Sequence, residues 1–158
     1  MNHKKIKSLQ SIRDVHLIDI ENLCGSSNPT AEEVSLVRSS YRTLVKPGQF
    51  DQFYVRVSSH HNLAAAAFGW PDARVHCKEG HDGADILIAK DLLENKFEKS
   101  FGTIYLASGD GGLAPFAKHV VNRGGSVSVI SLPGSISMQM RFTGARVLYL
   151  NPSQGLVP

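Results

Sequence analysis

What most constrains the fold of this chain is a repeated change of hydrophobic period. Short runs that are apolar at nearly every position give way to segments with apolar residues at helical spacing, and the pattern then returns. VHLIDI (15–20) is the first such run and predicts a short buried strand. Thr30-Ala31-Glu32-Glu33 then forms a capping box ahead of Val34, Val37, Tyr41 and Leu44, and Lys46-Pro47-Gly48 ends that helix. FYVRVSS (53–59) predicts a second strand, HNLAAAAFGW a short helix stopped by Gly69 and Pro71, and ARVHC (73–77) a third, weaker strand. The segment 82–97, DGADILIAKDLLENKF, reads as helix and TIYLAS as strand. A helix over 113–122 carries one stripe of Leu113, Phe116, Ala117, Val120 and Val121. Gly124 and Gly125 stop it, SVSVIS returns as strand, and ARVLYL (145–150) is the last.

Strands that are apolar on both sides must be covered on both sides. Their alternation with helices therefore predicts an α/β fold with a mostly parallel sheet between two helical layers. At 158 residues the chain has room for one such domain, expected over 15–150, with a basic leader over 1–14 and a tail over 151–158. Composition agrees: 42% hydrophobic and 20% charged residues exclude a disordered chain. Cys24 and Cys77 form no CxxC or Cys/His pattern, so neither a zinc ribbon nor a disulfide framework is expected, and a reducing cytoplasm is the default. The leader MNHKKIKSLQSIRD is too polar for a signal peptide, and no run approaches the ~20 apolar residues of a membrane span.

In parallel sheets ligands gather at the carboxyl ends of the strands. The first strand ends in Asp19-Ile20-Glu21-Asn22 and the fourth in Ser108-Gly109-Asp110, while Glu79-Gly80-His81-Asp82-Gly83-Ala84-Asp85 leads into a helix. Three aspartates, Asp19, Asp85 and Asp110, are thus expected at one edge. Each has a structural alternative. Asp110 fits an N-cap, and Asp85 fits the N3 member of a pair with Asp82. Asp19 resists that reading, because a carboxylate within an apolar strand is costly without a partner. Asp85 has Ile88, Ala89 and Leu92 on its own face, so it too sits beside the buried side. A shared cation accounts for all three together. Oxygen donors without thiolates or clustered histidines favour Mg²⁺ or Mn²⁺ over zinc, and such ions recruit phosphate oxygens. In a chain with 17 basic and 14 acidic residues this points to phosphodiester hydrolysis.

VHLIDIENL, GADILIAKDLL and YLASGDGGLAPFAKHVVNRGGSVSVIS resemble, in order, the three blocks of the NYN domain, in the PIN-like nuclease superfamily. The resemblance runs from about Val15 to Leu150. It implies a Rossmann-like three-layer α/β/α sandwich and a metal-dependent ribonuclease acting on single-stranded or structured RNA. It also implies site roles for Asp19, Asn22, Asp85 and Asp110, with the three aspartates holding metal, Asn22 orienting Asp19 or a phosphate, and Ser108 supporting the Asp110 turn. The third block of that family usually carries a second aspartate two residues after the first; here Gly112 stands in that place. Glu21 or Asp82 are the acids left to replace it.

Backbone phosphates need positive charge nearby. Lys90, one turn past Asp85, Lys118 after Asp110, and Arg141 and Arg146 in the last connection are candidates, as are Ser58, Ser59, His60 and His61 after the second strand. Each lysine alone also fits a solvated helix face. Aromatic residues, at 8%, show no interleaving with basic ones that would mark a stacking platform. Trp70 fits the core better than the surface, and Lys4, Lys5 and Lys7 form a basic arm. Three functions follow in order. The first is a metal-dependent endoribonuclease, possible as a homo-oligomer. The second is a non-cleaving RNA- or protein-binding module marked by Gly112. The third is a Rossmann-like domain acting on a small nucleotide. A phosphate cradle made by the glycine turn alone lacks both GxxxxGK[ST] and GxGxxG.

Overall fold

The computed structural model describes residues 13–152; the lysines at 4, 5 and 7 and most of the tail lie outside them. Six strands, β1 (Val15–Asp19), β2 (Gln52–Val57), β3 (Arg74–Cys77), β4 (Thr103–Ala107), β5 (Ser126–Ser131) and β6 (Arg146–Tyr149), form one sheet in the order β3-β2-β1-β4-β5-β6. Every pair is parallel. The chain builds outward from β1 to one edge and then returns to β4 to build the other. This is a three-layer α/β/α, Rossmann-like fold whose strand order reverses between β1 and β4.

The helices are α1 (Ile20–Cys24), α2 (Ala31–Val45), α3 (Leu63–Gly69), α4 (Gly83–Glu94), α5 (Ala114–Asn122) and α6 (Met138–Arg141). Thr30 caps α2, its Oγ1 accepting from the Glu33 N–H at 3.1 Å and donating to Glu33 Oε1. Strand alternation sorts the core into two layers. Val15 and Leu17 of β1 pack with Ile88 and Leu92 of α4 and Ala117 and Val120 of α5. Ile18 packs on the other side with Val34, Val37 and Tyr41 of α2 and with Trp70, which is fully buried.

That second layer holds a buried polar cluster. His16 is fully buried and stacks between Phe53 and Tyr105, its register neighbours on β2 and β4, at centroid distances of 4.4 and 4.7 Å. Both ring nitrogens are used, Nδ1 toward the Tyr41 hydroxyl at 2.6 Å and Nε2 toward Asp51 Oδ2 at 2.8 Å.

Sequence and structure differ at short elements. The 82–97 helix is α4 up to Glu94 plus a separate 3₁₀ turn at Phe97–Lys99, because Lys96 takes a left-handed φ of 45°. The helices α1 and α6, of five and four residues, are too short to show a period. Arg13 and Asp14, read as leader, are tied to the domain. Arg13 Nε donates to Ser100 O, and Asp14 accepts from the Thr103 N–H at 2.7 Å.

Candidate metal centre

Parity along β1 sets the centre. Asp19 follows Val15 and Leu17 in the odd series, so it emerges on the α4/α5 side at the strand's carboxyl end. The β1–β4 register matches Ile18 with Ala107 and therefore brings Ser108-Gly109-Asp110 out beside Asp19. The amino end of α4 faces the same place. Its Ala84 N–H donates to Ser58 Oγ at 3.0 Å, and Asp85 stands in its first turn. Asp19, Asp85 and Asp110 consequently line one cavity of about 380 Å³, with Glu21, Asn22, Ser58 and Asp82.

Two of the aspartates also have a local task. Asp19 caps α1, Oδ1 accepting from the Asn22 N–H at 3.2 Å. Asp110 caps the 3₁₀ turn Gly111–Leu113 through the Gly112 N–H at 2.8 Å. Cap and cleft wall are compatible, since each cap bond engages Oδ1. Asp85 is different. Its Oδ1 is buried and, among the described residues, has no hydrogen-bond partner. The pair proposed with Asp82 does not form, because Asp82 sits at the N-cap position of α4 without a capping bond.

Crowding of acids shows in their protonation. Burial, reinforced by the carboxyls of Asp110 and Asp19, pushes the Asp85 pKa up to about 8. Burial also lifts Asp19 to about 6, with Glu21 and Asp110 adding to it and the Asn22 N–H and Asp85 opposing. A helix amino terminus favours anions, yet for Asp85 burial and neighbouring charge prevail. Such a group is stabilised by a cation, and among the described residues no ion pair to Asp19, Asp85 or Asp110 supplies one. Arg56, in register with Asp19 on β2, is committed to Asp91 through Nε and NH2, each at 3.0 Å.

Asn22 and Ser108 brace this edge. Asn22 Oδ1 accepts from the Gly109 N–H at 3.1 Å and so ties α1 to the β4 turn, while Ser108 Oγ accepts from the Asp110 N–H. With the Gly109 and Gly112 N–H groups used this way, neither is free to cradle a phosphate. Gly109 is required by close approach instead. A Cβ there would lie 2.4 Å from Ser135 O and 2.6 Å from Ser131 Oγ.

The other candidates disperse. Ser58 lines the cavity, and its N–H donates to Glu21 Oε1 at 2.7 Å. His60 is exposed and pairs with Glu79 instead, Nδ1 to Oε1 at 2.5 Å. Lys90 lines a larger, apolar cavity of about 540 Å³ between α4 and α5, with Gly112, Ile86, Leu93 and Phe116, that also reaches Asp85 and Asp110. Lys118 belongs to a third cavity, with Gly111 and Phe142, and Arg141 is exposed at the end of α6. Sequence reading passed over Asn62, buried beneath Glu21, whose Nδ2 donates to Glu21 Oε2 and Ser27 O. Its only signal was an amide at the start of an alanine-rich helix. His60, Cys77 and Glu79, distant in type from any sequence motif, bring donor atoms within 4.8 Å of one another.

Fold and site thus define an α/β/α domain with a carboxylate cluster at its topological switch point. No family model and no curated protein matches the sequence. Among solved structures, the chain is similar to a protein of unknown function from Vibrio parahaemolyticus. The match has a TM-score of 0.60 and 16% identity over 90% of this chain and 94% of that one. At that identity the likeness is one of fold. No helix among the described residues is long and apolar enough to cross a membrane.

Proposed function

We propose that the protein is a metal-dependent endoribonuclease, similar to NYN domains, whose centre is Asp19, Asp85 and Asp110. The observation that carries this reading is the buried, unpartnered Oδ1 of Asp85 set against two further carboxylates. Three hard oxygen donors without thiolate or imidazole among them fit Mg²⁺ or Mn²⁺. When bound, such an ion supplies Lewis-acid stabilisation of the charge that builds on phosphorus.

The chain's own residues do the rest. Asp19 and Asp110, fixed by their cap bonds, offer oxygens from two adjacent strands, and Asp85 adds one from a helix end. Asn22 keeps the two strand ends in step. Glu21 and Asp82 line the same cavity and are the acids available in place of the one that Gly112 lacks. Gly112 lines the adjoining groove, where a Cβ would stand 3.2 Å from Asp110 Oδ1, so the carboxyl missing there would have bordered the three-aspartate set.

Cleavage of a labelled mixed-sequence RNA with Mn²⁺, with Mg²⁺ and with EDTA tests the reading. Asp19→Asn keeps a capping side chain, so the variant should fold as the wild type does while losing at least about a hundredfold in rate, the scale of a missing charge-stabilising group. A folded wild type that cuts no RNA, or equal cutting by both proteins, would sink it.

A further inference from the structure

The ribonuclease reading leaves open whether single-stranded or structured RNA is the substrate, and the surface beyond Gly111 bears on that choice. There α6 leans on the Asp110 turn, and Ser137 Oγ and Gln139 Oε1 come within 3.0 and 3.1 Å of the point where a Gly111 Cβ would stand. Met138 and Phe142 are one helical turn apart, and 72% and 77% of their surfaces are exposed. Phe142 and Lys118 line a cavity of about 370 Å³ with Gly111 and Gln139. Arg141 stands beside Phe142 in the chain.

Several arginines of the molecule are committed to acids. Arg38, Arg42, Arg56 and Arg123 all pair with acids. Neither Lys118 nor Arg141 takes part in an ion pair among the described residues. The patch therefore combines an exposed aromatic ring with two uncommitted positive charges. It begins one residue from Asp110.

Resting on the ribonuclease reading, we propose that Phe142, with Lys118 and Arg141, is a stacking platform for single-stranded RNA that leads a strand into the acidic centre. A base has two faces to offer a phenyl ring only where it is unpaired, whereas in a duplex those faces are occupied by neighbours. The two cations supply charge for backbone phosphates near a stacked base, the combination that single-strand channels use. An apolar protein partner would use Met138 and Phe142 but would have no need of Lys118 and Arg141.

The test uses the full chain. Fluorescence anisotropy with a labelled 12-nucleotide single-stranded RNA and with the same sequence as a duplex is read for Asp19→Asn, alone and combined with Phe142→Ala or Phe142→Tyr. Cleavage by otherwise wild-type protein carrying either Phe142 substitution is measured in parallel. Phe142→Ala should weaken single-strand binding about tenfold, the low end for one stacked base, and raise KM with kcat unchanged. Phe142→Tyr should restore both, and duplex binding should be weaker and insensitive to either change. Because Phe142 is exposed, thermal unfolding should not move.

Metal-dependent cutting that ignores Phe142→Ala would overturn the platform while the ribonuclease stands. Single-strand binding that depends on Phe142 in a protein that never cuts would support the platform and remove the ribonuclease. Equal affinity for single strand and duplex would overturn the platform. So would a dimer that Phe142→Ala dissociates, since the patch would then be a contact between copies.

Discussion

Asp85 concentrates the electrostatics of the site in a single carboxyl, and its behaviour with pH has a definite sign. Its folded pKa of about 8 lies above the ordinary carboxylate value of 3.8. Below about pH 4 it is protonated in both folded and unfolded chains and has no effect on stability. Between about 4 and 8 only the unfolded chain gives up the proton, so the metal-free protein loses stability as pH rises, and the loss levels off above 8. Asp85→Asn removes this dependence. In EDTA the variant should melt higher than wild type at pH 8 and at the same temperature at pH 4, as thermal denaturation at both values would show. Adding Mn²⁺ should raise the melting temperature of wild type at pH 8 and leave Asp85→Asn nearly unmoved. It should also release protons at pH 7, measurable by calorimetry in buffers of different ionisation enthalpy. Parallel pH profiles for the two proteins would mean that another group governs the loss.

At the scale of elements, the turn between β4 and α5 does the most with the fewest residues. Gly109 gives its N–H to Asn22 and its carbonyl to the Ser137 N–H at 2.9 Å, with the 131–136 segment against its α-carbon. Gly109→Ala should cost about 1–3 kcal/mol in urea denaturation, as overpacked sites do, and should weaken Mn²⁺ binding because Asp110 is the next residue. An unchanged Mn²⁺ affinity in a destabilised protein would separate turn packing from the acidic centre.

This turn also shows what was legible in the sequence. The apolar runs revealed the inner strands β1, β2, β4 and β5 because a strand buried on both faces has no other composition, whereas the edge strands β3 and β6 were read from shorter runs with no buried residue. The acids at Asp19, Asp85 and Asp110 were readable because strand ends mark the ligand edge. The helices α1 and α6 were not, since four or five residues make little more than one turn. Nor was the fate of Arg56, because register placed it beside Asp19 while its side chain went to Asp91. Phe142 is adjacent to Arg141 in sequence, but only the fold sets Phe142 beside Lys118 and Gly111.

Across the whole molecule the two faces of the sheet divide the work. The α4/α5 face carries the acids, and the α2/α3 face carries His16 in its stack. Both His16 and Asp51 side chains are at most 1% exposed. Replacing His16 by Leu strands the Asp51 carboxylate and the Tyr41 hydroxyl without their partner. The expected loss is about 3–5 kcal/mol, the cost of breaking a buried pair from one side. Urea denaturation measures it. Under conditions where the variant remains folded, its metal affinity should equal that of wild type, because the stack lies behind the sheet from the cavity. A large drop in metal affinity would show that the two faces are coupled.

The strand order has one more consequence, which belongs to the chain as it is made. β1 leaves the ribosome first yet ends in the middle of the sheet, and its second neighbour, β4, begins only at Thr103. While the intervening residues are being added, β1 can pair on the β2 side alone, and Asp19 stands at an open edge. Asp110 arrives at the end of the very strand that closes that edge. The acidic centre therefore cannot be assembled in any nascent chain that stops short of β4, and translation itself withholds it until the sheet is joined across its middle.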